Sequence, residues 1–225
     1  MAIAFVIAHK YYAYYPSFLD MYICNIKKHY DCDVFVVDNQ SADITTLLPL
    51  FTDKVHLMVN DSENKFELGA YRYALDRIGR YEHIVFTQDT FILRNKFSID
   101  SIGKAATLVS FPWDNGHRHI YEQVLLRINL NNQYDECKGC WCNSFVISDS
   151  VREDFMRLTD WPIIRTRRES EACERYLGRI LLELGSSHPI DGDVGARGQC
   201  VDCDPLADTD FYFVKKCQQK NETTL

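Results

Sequence analysis

The chain has 225 residues, with 25 Lys and Arg against 32 Asp and Glu, so its formal net charge is −7. A chain of this length buries enough surface to fold without disulfides or a structural metal, and its 46% hydrophobic and 25% charged residues exclude a disordered or collagen-like polymer. The acidic balance argues against a protein that binds duplex nucleic acid or an anionic membrane surface, but a small phosphate ligand needs positive charge only locally.

The first half of the chain alternates apolar segments with amphipathic ones. Continuous apolar stretches predict buried strands at residues 3–8, 33–37, 54–59 and 83–87. Apolar residues at helical spacing predict helices between them, at residues 14–30, 43–51 (capped by Ser41 or Asp43) and 66–78. Strands that alternate with helices in this way predict an α/β fold with a mixed, mostly parallel sheet flanked by helices.

Beyond residue 95 the pattern is less regular. It predicts short strands at residues 106–111 and 144–148, and helices at residues 149–158 and 169–184. No repeat, low-complexity tract or flexible linker divides the two halves. We therefore expect one domain over residues 1–217, followed by a frayed polar tail at 218–225.

No segment approaches the roughly 20 apolar residues needed to span a bilayer. The N-terminus has no basic residues before its short apolar stretch, which favours a buried first strand over a signal peptide. Without a secretory signal, the odd count of nine cysteines favours reduced thiols and a cytoplasmic setting. An upstream segment would change this expectation, and the chain is compatible with being part of a larger multidomain protein.

Polar residues follow each of the four predicted strands in the first half. They are His9-Lys10, Asp38-Asn39-Gln40-Ser41, the segment 60–64, and Gln88-Asp89-Thr90. In an open parallel sheet, ligands bind beyond the carboxyl ends of the strands, so these residues are the candidates for a site. Neither G-x-G-x-x-G nor G-x-x-x-x-G-K-[ST] is present, so the sequence supports neither a classical dinucleotide-binding fold nor a P-loop.

Three of these segments resemble, in order, motifs of the family 2 glycosyltransferases, which have the GT-A fold. The segment 36–43 (VVDNQSAD) resembles the VDNxSxD signature, 64–70 (NKFELGA) resembles the N-x-G-x-x-G/A helix start, and 86–92 (FTQDTFI) resembles the L-N-P-D-T variant of the DxD motif. The resemblance covers about residues 1–95, and so implies a nucleotide-binding half there and an acceptor or variable half over 96–217.

The resemblance implies a GT-A-like enzyme that transfers a sugar from a nucleotide-diphosphate donor, with a UDP-sugar favoured, to a hydroxyl of a glycan acceptor. Inversion at the anomeric carbon is implied by the family alone. The alternative is a non-catalytic module that binds nucleotide sugars or carbohydrates within a larger protein.

The resemblance also implies roles for the acids at the strand ends. Asp38 would accept a hydrogen bond from the base, and Asp89 would hold Mn²⁺ or Mg²⁺ on the diphosphate. The family's second acid is replaced, since Thr87-Gln88 precede Asp89 and Thr90-Phe91 follow it. A turn or a helix cap is the alternative for Asp38, and a plain turn for Asp89. The rest of the expected donor site is His9, Asn39, Asn64, Gly69, Arg72, Gln88, Trp113 and Asp114.

Inverting transfer needs a general base that deprotonates the acceptor hydroxyl. In family 2 enzymes this base is an acid near the start of a helix in the second half, which implies Glu174, with Glu171 as its competitor. The apolar stripe of the predicted helix is formed by residues 173, 177, 180, 181 and 184. The alternative for both acids is a helix-start or i,i+4 ion pair with Arg175 and its neighbours.

Two C-x-x-C pairs occur in the second half, at Cys137 and Cys140 and at Cys200 and Cys203. Two such pairs suffice for a tetrahedral Zn²⁺ site and would make the chain a zinc-stapled interaction domain. Their separation of about 60 residues is much longer than in zinc fingers, which favours free thiols over zinc. A disulfide or redox pair is a third interpretation.

Overall fold

A computed structural model describes residues 2–10, 18–112, 138–160, 164, 166–186, 190 and 213–215 of the chain. The strands are β1 (Ile3–His9), β2 (Asp33–Asp38), β3 (Val55–Val59), β4 (His83–Gln88), β5 (Phe91–Leu93), β6 (Ala105–Thr107), β7 (Ser110–Pro112), β8 (Lys138–Cys140), β9 (Phe145–Ser148) and β10 (Phe213–Lys215). The α-helices are α1 (Leu19–His29), α2 (Phe66–Leu75), α3 (Arg152–Leu158) and α4 (Arg167–Glu183).

Six of the strands form one sheet, in the order β3-β2-β1-β4-β9-β6. Strands β1 to β4 are parallel to one another, and β9 runs antiparallel to both β4 and β6. Two further pairs, β10-β5 and β7-β8, form small antiparallel sheets. The predicted α/β fold with a mixed, mostly parallel sheet is therefore confirmed.

Both faces of the central strands are covered, which explains their continuous apolar sequences. In β1, the side chains of Ile3, Phe5 and Ile7 pack with α1 on one face. Those of Ala4, Val6 and Ala8 pack on the other face with α2, α3 and α4. The two faces alternate along the strand because successive side chains of a β-strand point in opposite directions.

Aromatic rings hold the second face together. Phe86 of β4 stacks on Phe145 of β9 with ring centroids 4.7 Å apart, and Tyr71 of α2 lies 5.1 Å from Phe86. Phe155 of α3 completes the group at 5.2 Å from Phe145. These contacts fix α2 and α3 on the sheet, and so fix the start of α2 relative to the end of β4.

Four predicted elements differ in part from those observed. The segment predicted as a helix over 43–51 is a 3₁₀-helix at Thr45–Leu50, which contains Pro49 and so lacks one backbone donor. The strand predicted over 106–111 is divided between β6 and β7, because the chain bends at the buried residues Leu108 and Val109. Helix α1 begins at Leu19 in the described part of the chain, and α3 is preceded by a 3₁₀ turn at Asp149–Val151. Within the described residues, no helix is both long and apolar enough to cross a membrane.

Two buried tyrosines provide a test of this packing. Tyr22 and Tyr71 are each 0% exposed, but only the Tyr22 hydroxyl has a hydrogen-bond partner among the described residues, Thr87 Oγ1 at 2.9 Å. Burial raises the pKa of both hydroxyls, and the Glu67 carboxylate raises that of Tyr71 further. Folding therefore favours the neutral form of both hydroxyls. The free energy of unfolding that depends on this preference is fully present below the pKa of an unfolded tyrosine, about 10, and is lost as the pH rises above it.

We expect Tyr71→Phe to leave the free energy of unfolding at pH 7 unchanged or slightly raised, because it removes a buried hydroxyl without a partner. Tyr22→Phe should lower it by about 1 kcal/mol, because it removes a hydrogen bond. Both variants should lose less stability than the wild type between pH 9 and pH 11. Urea unfolding across this pH range measures both effects. A loss at pH 7 for Tyr71→Phe as large as that for Tyr22→Phe would show that the Tyr71 hydroxyl is bonded.

Candidate functional site

The order of the strands reverses at β1. From β1 the chain proceeds outward to β2 and β3, and then returns to place β4 on the other side of β1. In open α/β sheets, ligands bind at the carboxyl ends of the strands on either side of such a reversal. The register places His9 opposite Asp38 and Ala8 opposite Gln88, so the polar residues predicted from the sequence meet at this edge.

A histidine–aspartate pair lies directly at the reversal. His9 Nδ1 is 2.7 Å from Asp89 Oδ2, and the exposed side-chain fractions are 0% for His9 and 15% for Asp89. The backbone amide of Asp89 donates to the carbonyl of Ala8, which extends the pairing of β4 with β1. Among the described residues, neither His9 Nε2 nor Asp89 Oδ1 has a hydrogen-bond partner. The pair therefore orients the carboxylate and leaves one of its oxygens available.

Asp38, at the end of β2, is also buried, with 1% of its surface exposed. Its Oδ2 accepts from the backbone amide of Ser41 at 2.8 Å, and its Oδ1 accepts from the Ser41 hydroxyl. These bonds close a tight turn in which Gln40 has a φ of 60°. Asp38 thus forms the turn considered as an alternative from the sequence, and its contact with a base stays a prediction.

Three asparagines connect the loops next to this turn. Asn60, which is 0% exposed, donates to Asn39 Oδ1 at 2.8 Å and to the carbonyl of Asn64 at 2.9 Å. Asn39 donates in turn to the carbonyl of Phe66, and Asn64 Oδ1 accepts from the amide of Ile164. The amides of Asn39 and Asn64 therefore position the loops after β2 and β3. Asn60 belongs to the segment 60–64, which its place after a strand made a candidate, but the sequence gave it no role in the donor site.

Gly69 is required by a close approach of two backbone segments. A Cβ atom at this position would lie 2.0 Å from the carbonyl oxygen of Asn64. The loop over 60–65 therefore packs directly on the first turns of α2, which begins at Phe66 with a φ of 64°. This explains the glycine of the NKFELGA segment without a ligand contact.

Backbone strain is concentrated at the same edge. Among the described residues, the non-glycine residues with positive φ are Gln40, Phe66, Cys142 and Asn143. Gln40 follows β2, Phe66 begins α2, and the other two precede β9, whose start pairs with the end of β4. Such conformations are costly and gather where a site over-determines the backbone, which marks this edge as the candidate site.

A cluster of polar side chains around the carboxylate of Glu67 lies beside Gln88. Glu67, in the first turn of α2, accepts from Gln88 Nε2 at 2.7 Å, from Ser170 Oγ at 2.7 Å and from Asn143 Nδ2 at 3.5 Å. The predicted site contained Gln88 but not the other three residues. The position of Glu67 within the NKFELGA segment was a local signal, whereas Asn143 and Ser170 are far away in the sequence and gave none.

The two candidate bases lie on α4 and differ in their surroundings. Glu174 Oε1 accepts from the backbone amide of Cys142 at 2.9 Å, so it holds the strained turn before β9. Glu171 Oε1 accepts from Arg167 Nε at 2.8 Å, an i,i+4 pair at the start of the helix. Helix α4 begins two residues before its predicted start, with a capping box formed by Thr166 and Glu169. Its predicted apolar stripe is confirmed, since residues 173, 177, 180, 181 and 184 are all buried.

Arg72 is not brought into this cluster. Its guanidinium donates to the carbonyl of Met156 at 2.6 Å, to Thr159 Oγ1 at 2.8 Å and to Asp160 Oδ1 at 3.0 Å. These bonds tie α2 to the end of α3, and a place for Arg72 in the donor site stays a prediction. Trp113 and Asp114, the remaining predicted residues, lie outside the described residues.

The cysteine pairs receive no support as a zinc site. Cys140 is buried and its thiol donates to the carbonyl of Ser144 at 3.2 Å. Burial, and then the charge of Glu174, raise the pKa of this thiol well above its usual value, which opposes the thiolate that zinc requires. The described residues contain no group of three or more His, Cys, Asp or Glu side chains suited to a metal, and Cys137, Cys200 and Cys203 lie outside them.

No protein-family model and no curated protein matches the chain. Similar solved structures include the glucosyl-3-phosphoglycerate synthase of Mycobacterium tuberculosis in complex with Mn²⁺, UDP and glucosyl-3-phosphoglycerate. Its TM-score is 0.49 at 12% identity, over 85% of this chain and 69% of that one.

Two further similar structures are longer than this chain. The mannosyltransferase PcManGT of Pyrobaculum calidifontis, in complex with GDP-Man and Mn²⁺, has a TM-score of 0.45 at 16% identity, over 76% of this chain and 50% of that one. The bifunctional glycosyltransferase WbbM has a TM-score of 0.47 at 14% identity, over 80% of this chain and 37% of that one. At such low identities, and with TM-scores below 0.5, these similarities carry no functional argument.

The packing of the 60–65 loop on α2 is testable by mutation. We expect Gly69→Ala to lower the free energy of unfolding by about 1–3 kcal/mol, because its methyl group overlaps the Asn64 carbonyl. Gly79→Ala is the matched control, since a Cβ there meets nothing within 4 Å, and its effect should stay within about 0.5 kcal/mol. Urea unfolding of both variants provides the measurement. Equal stabilities would mean that the loop does not lie against α2.

Proposed function

We propose that the chain is a nucleotide-sugar glycosyltransferase with a GT-A-like domain, which transfers a sugar from a nucleotide-diphosphate donor, with a UDP-sugar favoured, to a hydroxyl of a glycan acceptor. The observation that carries this proposal is the position of Asp38 and Asp89 on either side of β1 at the point of strand reversal. The resemblance of three sequence segments to family 2 motifs supports the same activity.

The separation of the two acids suits a nucleoside diphosphate. Adjacent strands lie about 4.8 Å apart, so backbone positions at the ends of β2 and β4 are about 10 Å apart. A nucleoside diphosphate carries its base and its diphosphate on opposite sides of a ribose, and so reaches both ends of such a gap. Uracil presents an N3–H donor, which needs an acceptor such as the Asp38 carboxylate. The diphosphate needs positive charge near Asp89.

The residues around Asp89 fit a divalent cation through one oxygen. Oδ2 is held by His9, and Oδ1 has no partner among the described residues. Hard cations such as Mn²⁺ and Mg²⁺ take carboxylate oxygens and retain water, so one protein carboxylate and the donor's phosphates are sufficient. When bound, the cation stabilises the charge that develops on the departing diphosphate. The role of His9 is to orient the Asp89 carboxylate.

Glu174 is the proposed general base for the acceptor hydroxyl. It holds the amide of Cys142, and the next residue, Asn143, contacts Glu67 beside Gln88. This chain of contacts supports a place for Glu174 next to the donor. Glu171 is paired with Arg167 at the start of α4, which makes it the weaker candidate. Inversion of configuration belongs to this proposal, since a retaining transferase needs no such base.

Substitutions of Asp89 and Asp38 are expected to weaken UDP binding in different ways. Asp89→Asn should remove the Mn²⁺-dependent part of UDP binding and leave the metal-free part. Asp38→Asn should weaken UDP binding with and without Mn²⁺ by at least about tenfold, the loss of one charge-assisted hydrogen bond. Isothermal titration with UDP, with and without Mn²⁺, measures both. Asp53→Asn, at an exposed acid at the opposite end of the sheet, is the control and should bind as the wild type does.

Catalysis requires a separate measurement. The wild type should release UDP from at least one UDP-sugar in the presence of Mn²⁺, and Glu174→Gln should slow transfer by about 10²–10⁴-fold while donor binding is retained. Binding of UDP-sugars without release of UDP, across a panel of acceptors, would favour the non-catalytic module. The absence of binding to any nucleotide sugar would overturn the proposal.

A further inference from the structure

We propose that Glu67 is a positioning residue, which sets the orientation of the Gln88 amide beside Asp89 and joins the donor half of the site to α4. This inference rests on the proposed function, because it concerns the same site. It assigns a role to a carboxylate that none of the sequence motifs single out.

The hydrogen bonds of Glu67 indicate that it holds other residues in place. Its Oε1 accepts from Gln88, and its Oε2 accepts from Ser170 and Asn143. A carboxylate has about four acceptor positions, and three of those of Glu67 are occupied by protein donors. A general base must keep an oxygen free for the proton that it removes, whereas both oxygens of Glu67 already accept bonds from the protein, as expected of a positioning residue.

The three donors come from three separate elements. Gln88 ends β4, Asn143 precedes β9, and Ser170 lies in the first turn of α4. Asn143 and Ser170 are 1% and 7% exposed, so their bonds to the carboxylate are shielded from water. Loss of the Glu67 carboxylate would leave these donors buried without this acceptor. The positions of the three elements relative to one another therefore depend on Glu67.

Glu67 and Glu174 together hold a strained turn. Glu174 accepts from the amide of Cys142, and Glu67 accepts from the side chain of Asn143. Both of these consecutive residues have positive φ, at 54° and 52°. Two carboxylates from different helices therefore fix one turn next to the end of β4, and they place the proposed base Glu174 relative to Gln88.

The bond to Gln88 also determines which end of its amide faces Thr90. The amino group of Gln88 donates to Glu67, and its carbonyl oxygen accepts from Thr90 Oγ1 at 3.4 Å. The side of Gln88 that faces Thr90 therefore presents an oxygen acceptor, next in sequence to Asp89 and at a position where the family 2 motif differs. Without the Glu67 carboxylate, the amino group loses this acceptor, and the amide loses the bond that favours its present orientation.

An exchange of the two side chains tests this role. Glu67→Gln should lower kcat by at least about tenfold, because it replaces one of two acceptor oxygens with an amino group, so Gln88, Ser170 and Asn143 can no longer all keep their acceptor. Gln88→Glu should lower it as much or more, because it places two carboxylates in contact. The double variant Glu67→Gln/Gln88→Glu restores a hydrogen bond between an amide and a carboxylate with the wild-type charge, so kcat should return to within about threefold of the wild type.

Control variants distinguish an effect of Glu67 on the site from a general loss of stability or activity. Glu82→Gln, at an exposed acid at the opposite end of β4, should match the wild type in kcat and stability. Ser170→Ala removes a single donor, and should change the acceptor KM with little change in UDP binding. Urea unfolding of each variant identifies those that fail to fold.

The outcomes are distinguishable. A wild type that binds no nucleotide sugar overturns the proposed function itself. An active wild type whose kcat is unaffected by Glu67→Gln overturns the positioning role alone. A folded double variant as inactive as Glu67→Gln also overturns it, since the carboxylate would then be needed at position 67 for chemistry.

Discussion

The position of β1 in the sheet determines where this protein can bind a ligand. β1 is hydrogen-bonded on both sides by parallel strands and covered on both faces by side chains. Polar residues in this part of the chain can therefore be placed only at the strand ends. Because parallel strands end at the same edge, His9, Asp38 and Asp89 are brought together by the topology, and the bond between His9 and Asp89 then orients that pair.

Burial at this edge forces the polar groups to satisfy one another. An unpaired buried donor or acceptor costs about 1–3 kcal/mol, which favours hydrogen bonds between these side chains and the neighbouring loops. Asn60 does this for the loops after β2 and β3, and Glu67 does it for β4, β9 and α4. The resulting network stabilises the strained backbone at Gln40, Phe66 and Cys142, since hydrogen bonds hold each of these turns in place.

The parts of this arrangement that could be predicted from the sequence are those with local causes. Apolar stretches with intervening helices give the parallel strands, and a polar residue directly after a strand marks the binding edge, as at Asp38 and Asp89. The bend between β6 and β7 could not be predicted, because buried apolar residues continue through it. The bonds from Asn143 and Ser170 to Glu67 could not be predicted either, because they depend on how α4 packs against the sheet.

The acids at this edge differ in how many of their acceptor positions are occupied by protein donors. Glu67 accepts three bonds and holds other residues in place, whereas Asp38 accepts two, one on each oxygen, and keeps acceptor positions for a base. Asp89 has a single partner and one free oxygen among the described residues. In a chain with a net charge of −7, an anionic donor would be repelled from such an edge without a counter-charge. A cation at Asp89 removes this repulsion, and so makes the acidic composition compatible with a diphosphate ligand.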